Sequence, residues 1–489
     1  MNTSIDTYLL ALQLMAVQGC LGAFDTLYHH ELKEALPRRP GARVELAIHA
    51  LRSLLYSVLF IGLSAWAWHG AWAPVVMLLL SVEIGLTLWD FVVEDRTRLL
   101  PATERVTHTV LAMNGGAFVM LLALTMPQWL AQPSAVVWQP HGWLSVFLAV
   151  CGVGVGLSGL RDALAARGLK SVAGRGPAPA PARFGAPGQQ VLVTGATGFI
   201  GGQLVAALLA DGHQVTALAR RPRHAAWLFG GQVRCIASMA ALPASHRIDV
   251  VINLAGARIL GWRWTAARRR VLLASRVGVT AAVVDWIARA EHKPRLMLSG
   301  SAIGYYGVQP RGDASVLTES APPQPIFMSQ LCRDWEAAAQ AARAHGVAVA
   351  CLRFGLVLGT EGALPMMLLP IKLGLGGPLG GGAQWLSWIH VHDVIGAIGH
   401  LMRQDGTRLD QAYNFTAPES LPQREFSRVA ARGMGRPGFF PTPALPMRLM
   451  LGEQADLLLE GQRVAPARLL ETGYSFAYPT MREALRSLA

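Results

Sequence analysis

VLVTGATGFIGG, Val191 to Gly202, is the stretch that decides how this chain folds. An apolar run fit for a buried strand leads into Thr194-Gly195-Ala196-Thr197-Gly198-Phe199-Ile200-Gly201, and then into the helical pattern QLVAALLADG. Glycines at i, i+3 and i+6 let the backbone turn tightly, approach a pyrophosphate and pack helix on strand. The helix N-terminus then offers N–H groups to the anion. A glycine triplet alone is weak, but here a strand precedes it and a helix follows. Gly195, Thr197, Gly198, Phe199, Ile200 and Gly201 are therefore expected to line a dinucleotide site.

Downstream, His213 to Ala219 (HQVTALA) reads as the second parallel strand, followed at once by Arg220 and Arg221. An acid at this place favours the ribose 2′-OH of NAD, whereas arginine favours the 2′-phosphate of NADP. NADP is the expected cofactor; a solvated basic turn is the alternative reading of the two arginines. A short strand follows at 233–236, and then Asp249 to Leu254 (DVVINL) ends in Ala255-Gly256-Ala257. Small residues there leave room outside the sheet, so Leu254, Ala255 and Gly256 join the cofactor-binding set. A helix at 268–290, a strand at 295–299, a helix at 334–345 and a strand at 347–353 complete the alternation. That pattern predicts an α/β Rossmann-type, doubly wound parallel sheet.

Upstream, the composition changes. Across the 489 residues, 52% are hydrophobic and 15% charged, and the apolar excess lies before residue 161. Five segments, about 8–28, 46–68, 72–89, 106–130 and 143–160, approach the roughly 20 residues that cross a bilayer. The first lacks the basic start and cleavage site of a signal peptide. Tryptophans at 66, 68, 72, 89, 129, 138 and 143 sit near segment ends, as an interfacial belt would place them. Residues 1–167 are thus expected to form an all-α transmembrane bundle.

Basic residues fall in alternate loops: Lys33, Arg38, Arg39 and Arg43; then Arg96, Arg98 and Arg105; then Arg161, Arg167 and Lys170. Positive-inside bias puts the N-terminus outside and everything after residue 161 in the cytoplasm, as in a bacterial-type inner membrane. The formal net charge of +13 follows this orientation better than it suggests nucleic acid, which is not an expected partner. Five cysteines without CxxC or CxxH spacing argue against a disulfide framework or a zinc ribbon. Gly152 and Gly156 are four apart and could admit a close helix neighbour, and a homo-oligomer stays open. Gly168 to Gly188, rich in Gly, Pro and Ala, reads as a linker. The dinucleotide domain is placed at 189–435 and a C-terminal domain at 436–489.

The membrane region also repeats itself. Asp25-x3-His29 precedes Glu45-x3-His49 across one loop, and Asp90-x3-Glu94 precedes Glu104-x3-His108 across another. Spacing of i, i+4 puts each pair on one helix face, and His30, Glu31 and Glu83 extend the group. Ionisable residues in or near lipid read as functional by default. Glu45, His49, Glu104 and His108 are a candidate metal site, although di-metal bundles commonly use Glu-x-x-His. Ion pairing with Arg43, Arg52, Arg96 and Arg105 is the alternative.

Taken together, TGATGFIG, NLAGA, SGSAIGYYG, CRDWEAAA, LRFGLVLG and GLGGPLGGGAQWLSWIHVHD resemble the extended short-chain dehydrogenase/reductase superfamily. More narrowly they are similar to the subgroup called epimerase family proteins, and the tail from Pro443 resembles its C-terminal domain of unknown function. The resemblance covers about residues 189–489. It implies nicotinamide chemistry on a small molecule, with a Ser, a Tyr and a Lys four residues after the Tyr. Ser301 matches the serine. Counting back from Glu336, the Tyr and Lys positions fall on Met328 and Cys332, which cannot do that chemistry in the usual way. An oxidoreductase or epimerase-like enzyme would need a relocated acid, with Tyr305 or Tyr306 as candidates and packing beneath the cofactor as their alternative role. Arg333, Asp334 or Cys332 could act instead, or the protein could be a dinucleotide sensor without turnover. His390, His392 and Asp393 are expected to be structural, with Asp393 capping the next helix. The Gly374 to Gly382 run is expected to wall a substrate pocket.

Overall fold

The computed structural model describes residues 6–26, 28–29, 43–97, 102–171, 181–261, 263–310, 312–406, 409 and 411–488. The readings that involve Lys33, Arg38, Arg39, Arg98, His30, Glu31 and the 172–180 part of the linker lie outside the described residues, as do the side chains of Arg96 and Lys170. The chain divides into two compact units, Met1–Ala178 and Pro179–Ala489.

Among the described residues, the first unit contains five long helices: α1 (Thr7–Phe24), α2 (Arg43–Ser64), α3 (Ala73–Thr97), α4 (Ala102–Leu130) and α5 (Trp143–Ser171). Asp6 caps α1 by accepting from the N–H groups of Tyr8 and Leu9 at 3.1 and 3.0 Å. All five are long and apolar enough to cross a membrane. A sixth apolar stretch, Ala266–Arg289, belongs to the second unit, where Val283, Trp286 and Ile287 are buried against a sheet. Helix α2 packs along α5 and α1 along α4. The glycines of α5 explain the first pairing. A Cβ on Gly152 would lie 2.7 Å from Ile61, and one on Gly156 would lie 2.7 Å from Ser57, so both are taken up by α2 of the same chain. At one end of the bundle, β1 (Trp66–Trp68) pairs antiparallel with β2 (Val136–Trp138).

The second unit is built on seven parallel strands: β3 (Gln190–Thr194), β4 (Gln214–Leu218), β5 (Arg234–Ile236), β6 (Val250–Asn253), β7 (Leu296–Ala302), β8 (Ala348–Phe354) and β12 (Ala412–Phe415). Their order is β12-β8-β7-β6-β3-β4-β5, so the chain reverses direction across the sheet between β3 and β6. Alternation along β3 sends Val191 and Val193 into one core layer and Leu192 into the other, which makes both faces apolar. Helices α6 (Phe199–Ala210) and α12 (Val391–Arg403) cover the first face; α9 (Val279–Arg289) and α10 (Phe327–Gln340) cover the second. Between β4 and β5 lies α7 (Pro222–Leu228), and α8 (Ala266–Leu273) precedes α9.

Two elements differ from the sequence reading. The helix expected at 268–290 is α8, a π-helical turn at Ala274–Gly278, and then α9. The helix expected from 334 begins at Phe327, without a side-chain cap, and tightens to a 3-10 turn at Ala341–His345, closed by Gly346 with φ +77°. A smaller lobe holds β9 (Leu356–Leu358) paired with β11 (Trp388–His390), α11 (Leu364–Lys372), β10 (Trp385–Leu386) paired with β13 (Leu421–Pro422), and α13 (Gln423–Gly433). The chain ends in α14 (Ala444–Leu451), α15 (Asp456–Leu459), α16 (Ala467–Glu471) and α17 (Met481–Leu488).

Candidate functional site

Glycine is required twice in the turn between β3 and α6. Gly195 has φ +69°, and a Cβ there would stand 2.6 Å from the Leu254 carbonyl oxygen. A Cβ on Gly201 would stand 2.2 Å from the Gly195 oxygen. The turn and the Leu254-Ala255-Gly256 loop are thereby pressed together at the point where strand order reverses, the place a doubly wound sheet binds its ligand. Thr194 fixes the junction: its hydroxyl donates to Asn253 at 2.7 Å and accepts from the Ala255 N–H at 3.0 Å.

Gly198 is the N-cap of α6 and puts no side chain over the helix end. Thr197 and Gly198 are exposed at the tip. Phe199 packs under Gly359 and Gly362, and Ile200 packs against the core, so both serve the site through their backbone. The N–H groups of this helix end, together with its dipole, suit a pyrophosphate. Arg220 and Arg221 are exposed just past β4 and have no side-chain partner among the described residues.

The expected catalytic residues gather around a buried ion pair instead of an open pocket. Arg353 holds Glu336 with two bonds, at 2.8 and 2.9 Å. Ser301, 2% exposed, donates to the same Glu336 carboxylate at 2.7 Å. Tyr306, also 2% exposed, donates to Asn414 at 2.6 Å and accepts from Arg353 at 3.0 Å. Burial raises the Tyr306 phenol above its ordinary value, against the opposing pull of Arg353. Burial opposes the charge on Arg353, yet Glu336 more than compensates and holds the guanidinium ionised. Tyr305 differs from its neighbour. Its ring lies under the Arg353 guanidinium, 3.5 Å from ring centre, and its hydroxyl has no hydrogen bond among the described residues.

Met328 and Cys332 sit on α10 beside Gly304. Burial, then Glu336, pushes the Cys332 thiol up to about 12, so it stays protonated near neutrality and is no nucleophile. Asp334 accepts from Gln330 at 2.5 Å, and Arg333 is exposed. The sequence reading missed Arg276, carried by the π-helical turn. Its guanidinium donates to the Ala257 carbonyl at 3.1 Å, lies against Gly256 and stands 5.3 Å from the ring centre of Trp335 on α10. A cation therefore stands where the loop after β6 borders α10, although α10 itself has none at the lysine position.

Two further expectations resolve structurally. His390, not Asp393, caps α12: its Nδ1 accepts from the His392 N–H at 3.1 Å, and burial pushes its pKa down to about 4, keeping it an acceptor. Asp393 accepts from the N–H groups of Ala477 and Tyr478 at 2.7 and 3.0 Å and pins the C-terminal tail to α12. The 374–382 glycine run is zipped to residues 440–442, with Gly380 donating to Thr442 at 2.8 Å and Thr442 to Pro378 at 2.9 Å.

In the helical unit, Glu45, His49, Glu94 and Glu104 are buried and His108 nearly so, all at the bundle end opposite the β1–β2 ribbon. Glu45, His49 and Glu94 could together hold a metal ion, as could Glu94, Glu104 and His108; within each set the candidate ligand atoms lie within 4.8 Å of one another. Arg52 bonds Asp90 at 2.6 Å and Glu83 at 3.3 Å, so those two acids are ion-paired as the alternative reading has it. Arg43 and Arg105 are exposed.

Comparison with known proteins places the second unit among relatives. Residues 191–415 match the model of the NAD dependent epimerase/dehydratase family, and residues 442–488 match a domain of unknown function, DUF1731. Epimerase family protein YfhF of Bacillus subtilis is 35% identical over 302 residues, which is 61% of this chain and 97% of that protein. Human epimerase family protein SDR39U1 is 35% identical over 303 residues, 61% of this chain and 99% of its own length. The crystal structure of human SDR39U1 with NADPH aligns at a TM-score of 0.55 and 34% identity, covering 61% of this chain and 99% of that one.

Proposed function

The chain belongs to the NAD dependent epimerase/dehydratase family and binds a nicotinamide dinucleotide, and we propose that its cofactor is NADP(H). The observation that carries the preference is the pair of exposed arginines, Arg220 and Arg221, at the end of β4, with no acid competing at that place. The NADPH in the solved human relative supports the same reading. The reaction is an oxidoreductase or epimerase-like conversion of a small molecule. When bound, the nicotinamide supplies hydride; the chain's residues bind, orient and move a proton. Among the hydroxyls near Ser301, that of Tyr305 is the candidate proton donor, because Ser301 and Tyr306 are engaged with Glu336 and Asn414. Arg353 over the Tyr305 ring favours the phenolate that such a transfer leaves.

The helical unit anchors this site to the cytoplasmic face of a bilayer. Five apolar helices support that reading, as do large apolar side chains on their outer faces, among them Leu78, Met113 and Val150. The engaged state of Ser301 and Tyr306, with Met328 and Cys332 on α10, favours a second reading: a dinucleotide sensor without turnover.

NADPH consumption by the full chain in nanodiscs, against a panel of aldehydes, ketones and nucleotide sugars, separates the two. Turnover that falls at least 100-fold in Tyr305→Phe, with unchanged NADPH affinity, supports the enzyme, a proton-transfer contribution of about 10²–10⁴ being usual. Tight NADPH binding with no turnover across the panel supports the sensor.

A further inference from the structure

The helical unit holds a second set of chemistry-bearing residues that the dinucleotide site does not use. Its geometry goes beyond the repeat seen in the sequence. Glu94 stands between the two Glu-x3-His pairs, with Oε1 3.9 Å from His49 and Oε2 3.5 Å from His108. One carboxylate thus presents a different oxygen to each histidine. We propose that Glu94 bridges two first-row divalent metal ions, one held by Glu45 and His49 and the other by Glu104 and His108.

The separations suit such ions. Donors about 2.0–2.2 Å from one metal stand roughly 3–4 Å apart, depending on the angle between them. The two Glu94–histidine distances fall within that range, and the 4.8 Å limit on each triplet needs only a small contraction around an ion. The arrangement also places Glu45 and Glu104 each within that limit of Glu94 in a buried setting. Like charges so close in a low-dielectric interior repel, and a cation between them reverses the sign of the interaction.

A second observation comes from the shell around the cluster. His49 Nε2 contacts Asp90 at 3.0 Å, and His108 Nε2 contacts Asp25 at 3.2 Å. Each aspartate comes from the other half of the repeat, but the two contacts differ: His108 turns Nδ1 to Glu94 and Nε2 to Asp25, whereas His49 turns the same Nε2 to both Glu94 and Asp90. A carboxylate on the ring nitrogen opposite the metal commonly orients a metal-bound imidazole, and Asp25 stands in that position at His108. Asp90 is 2% exposed, and its second oxygen, Oδ1, is buried with no hydrogen-bond partner among the described residues. The repeat itself is broken where Glu94 occupies the position of His29, which hydrogen-bonds Asp25 at 2.8 Å. The odd residue is the one a dinuclear site needs in the middle.

The donor set names the metal class. One imidazole, one terminal carboxylate and a shared carboxylate oxygen per ion suit manganese, iron or zinc; thiolate-loving Cu(I) and all-oxygen Ca²⁺ fit less well. Three protein donors per ion leave positions open, as catalytic sites do.

The test uses the full chain, purified in detergent without chelators from cells supplied with manganese, iron and zinc. Elemental analysis is expected to find two such ions per chain. After stripping, anaerobic titration with Co²⁺ is expected to show two equivalents with visible d–d absorption. His49→Gln and His108→Gln should each remove one equivalent, Glu94→Gln should weaken both, and Asp25→Asn should keep both with about 10–100-fold lower affinity at the His108 ion. Wild-type chain of native helicity that takes up fewer than two equivalents overturns the proposal, as does a Glu94→Gln chain that binds both as tightly as wild type. If the variants do not fold, the wild-type stoichiometry alone decides: two ions support the bridge, and one or none rejects it.

Discussion

The two units of this chain bury polar residues in opposite ways. In the Rossmann-type unit, two of the three side chains expected to react are tied up, Ser301 on the Glu336–Arg353 ion pair and Tyr306 on Asn414, and Tyr305 alone is left without a hydrogen bond among the described residues. In the helical unit, carboxylates and histidines converge with donor atoms facing one another, as a cation would draw them. The first unit binds through backbone geometry, a glycine turn and a helix end, and its polar side chains lock the surrounding strands and helices. The second has a uniformly apolar helical frame, so whatever chemistry it carries must reside in the few ionisable side chains it buries.

The sharpest way to break this contrast is through the backbone of the glycine turn. Gly201→Val should abolish dinucleotide binding, because its side chain would fall where Gly195 already has its carbonyl. Titration with NADPH should show a loss of at least about 1,000-fold, on the order of 4 kcal/mol. Retained binding would mean that the turn is not the pyrophosphate site.

Next in size is the ion pair. Arg353→Met should leave Glu336 without its bidentate partner in a largely buried place and lower stability by about 3–5 kcal/mol. Denaturant unfolding of the full chain, followed by a probe in the second unit, measures this. A change below about 1 kcal/mol would show that the network is ornamental to the fold.

A smaller effect depends on pH. His390 has a folded pKa of about 4 against the ordinary 6.5 because burial disfavours its charge. The unfolded chain therefore binds the proton first. The stability from neutral His390 is complete above about pH 6.5 and is lost as pH falls towards 4, by at most about 3 kcal/mol. In His390→Asn, whose amide oxygen can still cap α12, the melting temperature should fall less steeply over that window. Parallel slopes for the two proteins would contradict the assignment.

Much of the Rossmann-type unit was legible because its signals are local. The glycine spacing and the run of apolar strands act within a few residues of one another, as do the Glu-x3-His pairs of the helical unit. What was missed depends on distance along the chain. The π-helical turn that aims Arg276 at Ala257 lies inside a stretch that reads as one continuous helix, with no local signal for the change of hydrogen-bonding pattern. Asp393 looks like a helix cap until the tail at Ala477 and Tyr478, some 80 residues later, reaches it. The start of helix α10 was not legible because Ile326 offers no capping side chain to mark the boundary. Glu94 was visible as a member of the repeat, but its place between two histidines required three helices, α2, α3 and α4, to converge.

The central claim, NADP(H) binding at the β3–α6 turn with Arg220 and Arg221 reading the 2′-phosphate, is tested most directly by one titration series. Full-length chain in detergent is titrated with NADPH and with NADH, beside Arg220→Ala and Arg221→Ala. The account predicts at least about a tenfold preference for NADPH, worth about 1.4 kcal/mol, that shrinks in one or both variants without weakening NADH. Equal affinity for the two dinucleotides, a preference for NADH, or arginine variants that keep the full NADPH preference would contradict it.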